Sequence, residues 1–344
     1  MIHRVKFISN MIFAIETSCD ETSTAILNLE GKLLSHIVSS QKNHQKFGGV
    51  VPEIASRAHL QILQIIVPQS LKEAKIKLND IDIFCATCGP GLVGSLLVGS
   101  TMAKSMAIGH NKPFYPINHL EGHILSPLIN NKLSFPYLAI LLTGGHTQIY
   151  LVKDIGDYIL LGETVDDAVG ESLDKIAKLL SLGYPGGPLI EKIATKGNIN
   201  AFDLPHPLEF EKSLNFSFSG IKTAVSLLIK EQTQITEKIK NDIAASFQNK
   251  IIEILKKRTT LALETLKKKK YNIKDIAIVG GVAANRKINE AFVKLSQNYN
   301  CRLNSPPLEL CGDNAAMIAW ACLQRHKIGI TPDLYFKVNP KLKL

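Results

Sequence analysis

Apolar and polar positions alternate along this chain in blocks that predict an almost unbroken series of strands and helices. Ile12–Ile15, Thr24–Leu29 and Lys32–Val38 are short apolar and β-branched runs joined by polar turns, and they predict three successive strands. Helical spacing follows from Pro52 to Ala74, with Pro68 expected to kink or split it because proline cannot donate to the helix ladder. The apolar run Ile81–Thr87 predicts a buried strand. GlyProGly (89–91) then breaks the chain before a helix from Leu92 to Ile108, a strand Pro113–Ile117 and a helix carrying His119 and His123. A second cycle begins at Pro136, with strands Tyr137–Leu142, Thr147–Val152 and Tyr158–Leu161. Helices are predicted over Gly170–Ser181, Pro188–Ala194, Gly220–Lys230 and Ile235–Lys267. Strand Ile276–Val279, helix Val282–Leu295, a short strand near Arg302 and a final helix Asn314–Arg325 complete it.

Three strands followed by helix–strand–helix, twice, predict an α/β protein of two lobes. Each lobe is a mixed sheet flanked by helices, and a cleft between the lobes is expected to take ligands. Residues 11–133 are assigned to the first lobe and 134–313 to the second, with a helical insertion over about 170–270. Residues 314–344 are expected as a C-terminal helix packing back on the first lobe, and 1–10 as an N-terminal extension. This architecture is similar to that of the actin, Hsp70 and sugar-kinase superfamily, whose lobes are ribonuclease H-like.

Length and composition agree. A chain of 344 residues suits two domains, and 45% hydrophobic with 20% charged residues describes a folded protein. The most apolar helix, Gly91–Gly109, carries Lys104 in its middle, which excludes a transmembrane span. Residues 1–10 are basic, but the apolar stretch after them runs into Glu16, Asp20 and Glu21 without a cleavage site, so no secretory signal is read. Six scattered cysteines fit a reducing compartment: the cytoplasm, with an organellar matrix as the alternative. Cys85 and Cys88 form a C-x-x-C without a second pair and read as buried strand cysteines. A net charge of +10 favours a polyanionic partner, above all nucleic acid, while LysLysArg (256–258) and the lysine run 267–270 also fit solvated helix ends.

The densest candidate chemistry is the pair His119 and His123. Four residues is about one helical turn, so both imidazoles face the same way and can share a metal ion. Asp313, in CysGlyAspAsn (311–314), is the candidate third ligand; the alternative is two ordinary surface histidines. Glycine junctions form a second group: ThrGlyGlyHis (143–146), ProGlyGlyPro (185–188) and GlyGlyValAlaAlaAsn (280–285), each at a strand end or helix start. There, backbone N–H groups can be aimed at an anion. None of them matches a P-loop or a G-x-G-x-x-G fingerprint. Asp20 and Glu21 sit in the first strand–strand turn and are candidate proton acceptors. Asp174, on a helix beginning near Gly170, is a candidate for a ribose or hydroxyl contact. His146 reads either as a substrate or metal neighbour or as a turn histidine. Ser219 reads as a helix cap, Phe216 and Phe218 as core, and Lys222 as a candidate phosphate contact.

Taken in order, GluThrSerCysAspGluThr (16–22), GlyProGlyLeu (89–92), HisLeuGluGlyHis (119–123) and ThrGlyGlyHisThr (143–147) closely resemble the bacterial TsaD branch of the tRNA threonylcarbamoyladenosine family. AspAspAlaValGlyGluSerLeuAspLys (166–175), TyrProGlyGly (184–187), SerPheSerGlyIleLysThr (217–223), GlyGlyValAlaAlaAsn (280–285) and GlyAspAsn (312–314) continue the resemblance. It implies an acyltransferase that moves a threonylcarbamoyl group from threonylcarbamoyl-AMP to the exocyclic amine of the adenosine just 3′ of the anticodon. The tRNAs concerned read codons beginning with A. It implies one iron ion per subunit, with zinc as the alternative, at His119, His123 and Asp313. Nucleotide contacts would fall on Leu141, Leu142, Thr143, Gly144, Gly145, Asp174, Gly187 and Asn285. Glu191 stands where some relatives carry a shorter aspartate. The implied partners are tRNA, a TsaB-like degenerate paralogue and a TsaE-like P-loop ATPase, and no membrane.

Three other readings compete. A zinc protease would need a glutamate directly after the first histidine. Leu120 is there instead, and Glu121 lies roughly 200° around the helix from His119. A small-molecule kinase of the superfamily would place glycine in the first phosphate turn, where Cys19, Asp20 and Glu21 stand. A nucleotide-bound assembly scaffold would tolerate loss of His119 without loss of modification.

Overall fold

The strands form where β-branched and apolar residues run together, and the helices where the apolar spacing stretches to one turn. The computed structural model describes residues 11–41, 44, 48–130 and 132–344, so the predicted extension 1–10 lies outside the described residues. By its internal contacts the chain divides into two units, residues 1–44, 50–129 and 313–344, and residues 45–49 and 130–312.

The first unit holds β1 (Met11–Glu16), β2 (Glu21–Asn28), β3 (Leu33–Ser40), α1 (Pro52–Ala74), β4 (Ile83–Gly89), α2 (Val93–Gly109), β5 (Phe114–Asn118) and α3 (His119–Leu125). Its sheet runs β3-β2-β1-β4-β5, antiparallel across β1–β2–β3 and parallel across β1–β4–β5. Phe13, Ile15, Ile26, Phe84 and Phe114 from the sheet meet Leu63 and Ile66 of α1 and Ala103 of α2 in its core. α1 is a single helix: Pro68 costs one ladder bond but does not split it, because packing of Leu63, Ile66 and Val67 outweighs the lost donor.

The second unit repeats the plan. β6 (Tyr137–Leu142), β7 (Thr147–Asp154) and β8 (Asp157–Glu163) are followed by the helices α4 (Val169–Leu179), α5 (Gly186–Ala194), α6 (Ser219–Glu231) and α7 (Glu237–Lys268). Then come β9 (Asp275–Val279), α8 (Arg286–Asn298) and β10 (Arg302–Asn304). The sheet order β10-β9-β6-β7-β8 has the same antiparallel and parallel pairings as the first. The predicted helix Val282–Leu295 is broken: residues 281–284 form a 3-10 turn, and extended Asn285 caps α8 by accepting from the Ile288 amide. Ser219 does not cap α6. Asp166 does so from outside, accepting from the amides of Phe218 and Ser219 and from the hydroxyls of Ser217 and Ser219. Phe216 and Phe218 are buried and stacked, as expected of core residues.

The chain then returns to the first unit as α9 (Ala315–Lys327), which packs on β1 and β2. This helix is shorter than the expected 314–344. Gly329, with φ of 77°, ends it in a Schellman turn, its amide bonding His326 and that of Ile330 bonding Arg325. Cys85 and Cys88 are buried in β4. Among the described residues no helix is long and apolar enough to cross a membrane.

Candidate metal centre and glycine face

α3 begins where β5 ends, because Asn118 accepts from the amides of Leu120 and Glu121. All seven of its residues are buried, which brings His119 and His123 inside the first unit rather than onto a wet surface. Asp313, just before α9, meets them. Its Oδ1 lies 3.0 Å from His123 Nε2 and 3.4 Å from His119 Nε2, and one donor atom from each residue lies within 4.8 Å of the others. The two rings stand edge to face at 4.7 Å.

The surroundings fit a cation. His119 Nδ1 faces Glu16 Oε2 at 3.1 Å and the Ser18 hydroxyl at 3.2 Å, so Nδ1 carries a proton and Nε2, once deprotonated, would turn its lone pair to an ion at the centre. Burial works against a charged His119, but Asp313 and Glu16 outweigh it and lift the imidazole well above its usual 6.5. Burial opposes ionisation of Asp313 too, yet His119 and His123 hold it well below the ordinary carboxylate range. For His123 burial prevails and lowers the pKa, which favours the neutral ring, the form that ligates; among the described residues its buried Nδ1 has no partner. The chain without metal thus keeps a proton on His119 where a divalent ion would take its place. Glu16, Asp20, Glu21 and Asp313 crowd this pocket with acid. Glu21 is driven well above its usual value by burial, then by Asp313 and Asp20.

Sequence reading did not assign two supports of this centre. One is Glu16, whose other oxygen takes the Ser18 amide at 2.5 Å, and whose signal was a carboxylate closing an apolar strand. The other is Glu121, wholly buried and bound at 2.7 Å by Arg325 of α9. That ion pair ties the histidine helix to the segment carrying Asp313. Leu120 stands where a protease would need its glutamate, and Glu121 is held in this ion pair, so that reading is not favoured.

The second unit brings its glycines to the ends of β6 and β9, and their roles divide. A side chain at Gly280, where φ is 93°, would run into the Leu142 carbonyl. One at Gly186 would meet Ala177, Asp174 and Leu173 at 2.7 Å, and one at Gly170 would meet Thr143 and Gly144 at 2.7–2.8 Å. These three are demanded by the fold. Gly144, Gly145 and Gly281 have φ outside the left-handed range and, among the described residues, nothing within 4 Å of an added Cβ; at Gly187 the nearest atom is 3.8 Å away. The protein itself does not require glycine there.

The other predicted contacts are engaged within the protein. Asp174 accepts from the Gly186 amide at 2.6 Å and lines a cavity of about 260 Å³ with Gly48, Lys178 and Tyr184. Glu191 accepts from the Arg286 amide at 2.8 Å, and the Asn285 amide group donates to Gln248 at 3.0 Å. Leu141 and Leu142 are fully buried in β6 and offer only backbone. The Thr143 amide bonds the His146 carbonyl, and the His146 amide bonds the Thr143 hydroxyl, closing the turn.

Residues 32–320 match the TsaD family, described as tRNA N6-adenosine threonylcarbamoyltransferase. A Brucella anthropi protein of that name is 48% identical over 321 residues, covering 91% of this chain and 89% of the relative. One from Rhizobium etli is 47% identical over 330 residues, 94% of this chain and 90% of the relative. Among solved structures, full-length HypF in a phosphate- and nucleotide-bound form superposes with a TM-score of 0.60 at 14% identity. It covers 92% of this chain, which spans about half (55%) of that one. Component A of (R)-2-hydroxyglutaryl-CoA dehydratase from Acidaminococcus fermentans gives 0.51 at 15% identity, over 91% of this chain and 98% of that one. At such identities the likeness carries the two-lobed, actin-like α/β fold alone.

Proposed function

Because the chain belongs to the TsaD family of tRNA N6-adenosine threonylcarbamoyltransferases, we propose that it transfers the threonylcarbamoyl group of threonylcarbamoyl-AMP to the N6 amine of adenosine. The acceptor adenosine lies just 3′ of the anticodon, in tRNAs reading codons that begin with A. AMP is released. The observation that carries the chemistry is the buried cluster of His119, His123 and Asp313. These residues would hold a single iron or zinc ion, and the donor set does not choose between them. When bound, the ion supplies positive charge that polarises a carbonyl or stabilises developing oxygen charge.

The remaining work falls to the chain's own groups. The adenine amine is a weak nucleophile because its lone pair is drawn into the ring, so the donor must be held ready and its leaving group stabilised. Gly144, Gly145, Gly187 and Gly281 leave backbone open for an adenylate to approach, with Thr143 closing the first of these turns and Asp174 beside the small cavity. Asp20 and Glu21 at this turn are the candidate acceptors for the amine proton, and the burial and neighbouring acids that raise Glu21 strengthen its hold on a proton. Glu191 and Asn285, which bond the Arg286 amide and Gln248, are the further candidate contacts for the adenylate.

The reading places the enzyme in the cytoplasm with tRNA as its macromolecular substrate, which the net charge of +10 suits. Leu60 and Leu97 are exposed on an apolar groove of about 400 Å³ between α1 and α2, which Leu63, Val98 and Met102 complete. An uncovered two-helix face suits a partner offering another such face, as a TsaB-like paralogue of this fold would. A TsaE-like ATPase is the second partner the family implies. The test is reconstitution with threonine, bicarbonate, ATP, an adenylate-forming enzyme, both partners and unmodified tRNA, read by mass spectrometry of nucleosides. Threonylcarbamoyladenosine should form only when this chain is present. Equal yield without it would sink the reading.

A further inference from the structure

The turn between β1 and β2 carries the proposed proton acceptors, and a buried chain of side chains behind it has no role in the chemistry so far. Gln41, His44, His59 and Thr22 are all buried in the first unit. The Val51 amide donates to His44 Nδ1 at 3.3 Å, and His44 Nε2 lies 2.9 Å from Gln41 Oε1. Gln41 Nε2 lies 3.3 Å from the Ala55 carbonyl and 3.3 Å from His59 Nδ1. The Thr22 hydroxyl is 2.8 Å from the same Nδ1, and His59 Nε2 is 2.9 Å from the Cys19 carbonyl.

The direction of every bond in this chain is determined. A carbonyl only accepts, so Ala55 requires the nitrogen of the Gln41 amide to face it, which sends the Gln41 oxygen to His44. An oxygen there requires a proton on His44 Nε2, leaving His44 Nδ1 bare to accept from Val51. The Gln41 nitrogen, donating to His59 Nδ1, requires that atom to be bare as well. The one proton of neutral His59 then sits on Nε2 and is donated to Cys19. Burial, the largest influence on His59, also favours the neutral ring. The Gln41 backbone amide meanwhile donates to the Asp20 carbonyl at 3.2 Å, so the same residue grips the turn twice.

We propose that His44, Gln41 and His59 form a one-directional relay that positions the Cys19–Asp20 backbone, and through it the carboxylates of Asp20 and Glu21, for acyl transfer. The three are positioning residues; none of them is placed on substrate. The catalytic part of this inference rests on the proposed reaction, while the relay itself does not. Polarity is its essence. Gln41→Glu keeps the shape but replaces the group donating to His59 with an acceptor. His59 must then take a proton on Nδ1, either losing its hold on Cys19 or becoming doubly protonated.

The experiment uses the full-length protein. Imidazole nitrogen NMR of the unaltered chain at neutral pH should show His44 and His59 both neutral and both protonated at Nε2. A His59 proton found on Nδ1, or a charged ring, overturns the relay without any variant being needed. In the Gln41→Glu protein, His59 should become protonated at Nδ1, and amide exchange of residues 18–21 should quicken by roughly tenfold, about 1.4 kcal/mol of lost local protection. The transfer kcat should fall by a similar factor with little change in KM for the acyl-adenylate. Unaltered exchange and kcat in a folded variant would refute the positioning role. Quickened exchange in a chain whose unaltered form transfers nothing would leave the relay standing and refute the reaction.

Discussion

The turns β1–β2 and β6–β7 occupy the same place in two sheets of identical strand order, yet their chemistry is opposite. The first, residues 17–20, is flanked by Glu16 and Glu21 and lies against His119, with Asp313 beside it. The second, residues 143–146, has no acid and two glycines where an added Cβ would meet nothing within 4 Å among the described residues. An anionic donor brought to the first turn meets repulsion unless a cation is there; at the second it meets backbone dipoles and free space. The comparison teaches that the repeated scaffold fixes where a site can lie, and the four residues of each turn decide which charge it accepts.

The most severe test of this contrast removes the cation pole. His123→Ala or Asp313→Ala should abolish stoichiometric iron or zinc, measured by elemental analysis, and lower transfer by roughly a thousandfold. Normal transfer by a metal-free variant would break the comparison outright. The anion pole is tested by two glycines with opposite expectations. Gly280→Ala should cost about 2–3 kcal/mol in denaturant unfolding, because its φ is left-handed and the Leu142 carbonyl is in the way. Gly145→Val should change stability by less than about 0.5 kcal/mol. It should nevertheless raise KM for the acyl-adenylate about a hundredfold, some 2.7 kcal/mol of binding. If both variants merely unfold, or neither affects KM, the assignment of the open glycines fails.

Arg325→Met removes the ion-pair partner of the buried Glu121 carboxylate. It should cost about 2 kcal/mol of stability and weaken ion binding roughly tenfold in a chelator competition. The smallest effect is with pH. Because the lifted His119 must lose its proton to ligate, apparent ion affinity should rise about tenfold per pH unit and level off above its raised pKa. In metal-free protein the His119 contribution to stability is fully present below its ordinary 6.5 and lost as pH rises through the folded value. The depressed Glu16 and Asp313 contribute in the opposite sense, losing their share as pH falls. Affinity that does not vary with pH would mean that no proton is displaced.

The run of strands and helices and the meeting of His119 with His123 were legible in the sequence, because periodicity and four-residue spacing are local signals. What stayed hidden depends on partners far apart along the chain. Asp166 caps a helix 53 residues away through Ser219, and Arg325 reaches Glu121 across 204. Asn285 breaks a helix that its neighbours' apolar spacing would continue, since its side chain bonds better as a cap than inside a turn. Asp174, Glu191 and Asn285 each bond a neighbouring loop or helix start, partners that residue type and spacing do not reveal.

Asp313 lies 190 residues beyond His123. On the ribosome, at common elongation rates, the histidine helix would emerge roughly 10–40 seconds before Asp313. Under the proposed metal assignment a nascent chain would present only the two-histidine half of the cluster. A complete set of three donors would then mark a polypeptide synthesised through the start of α9.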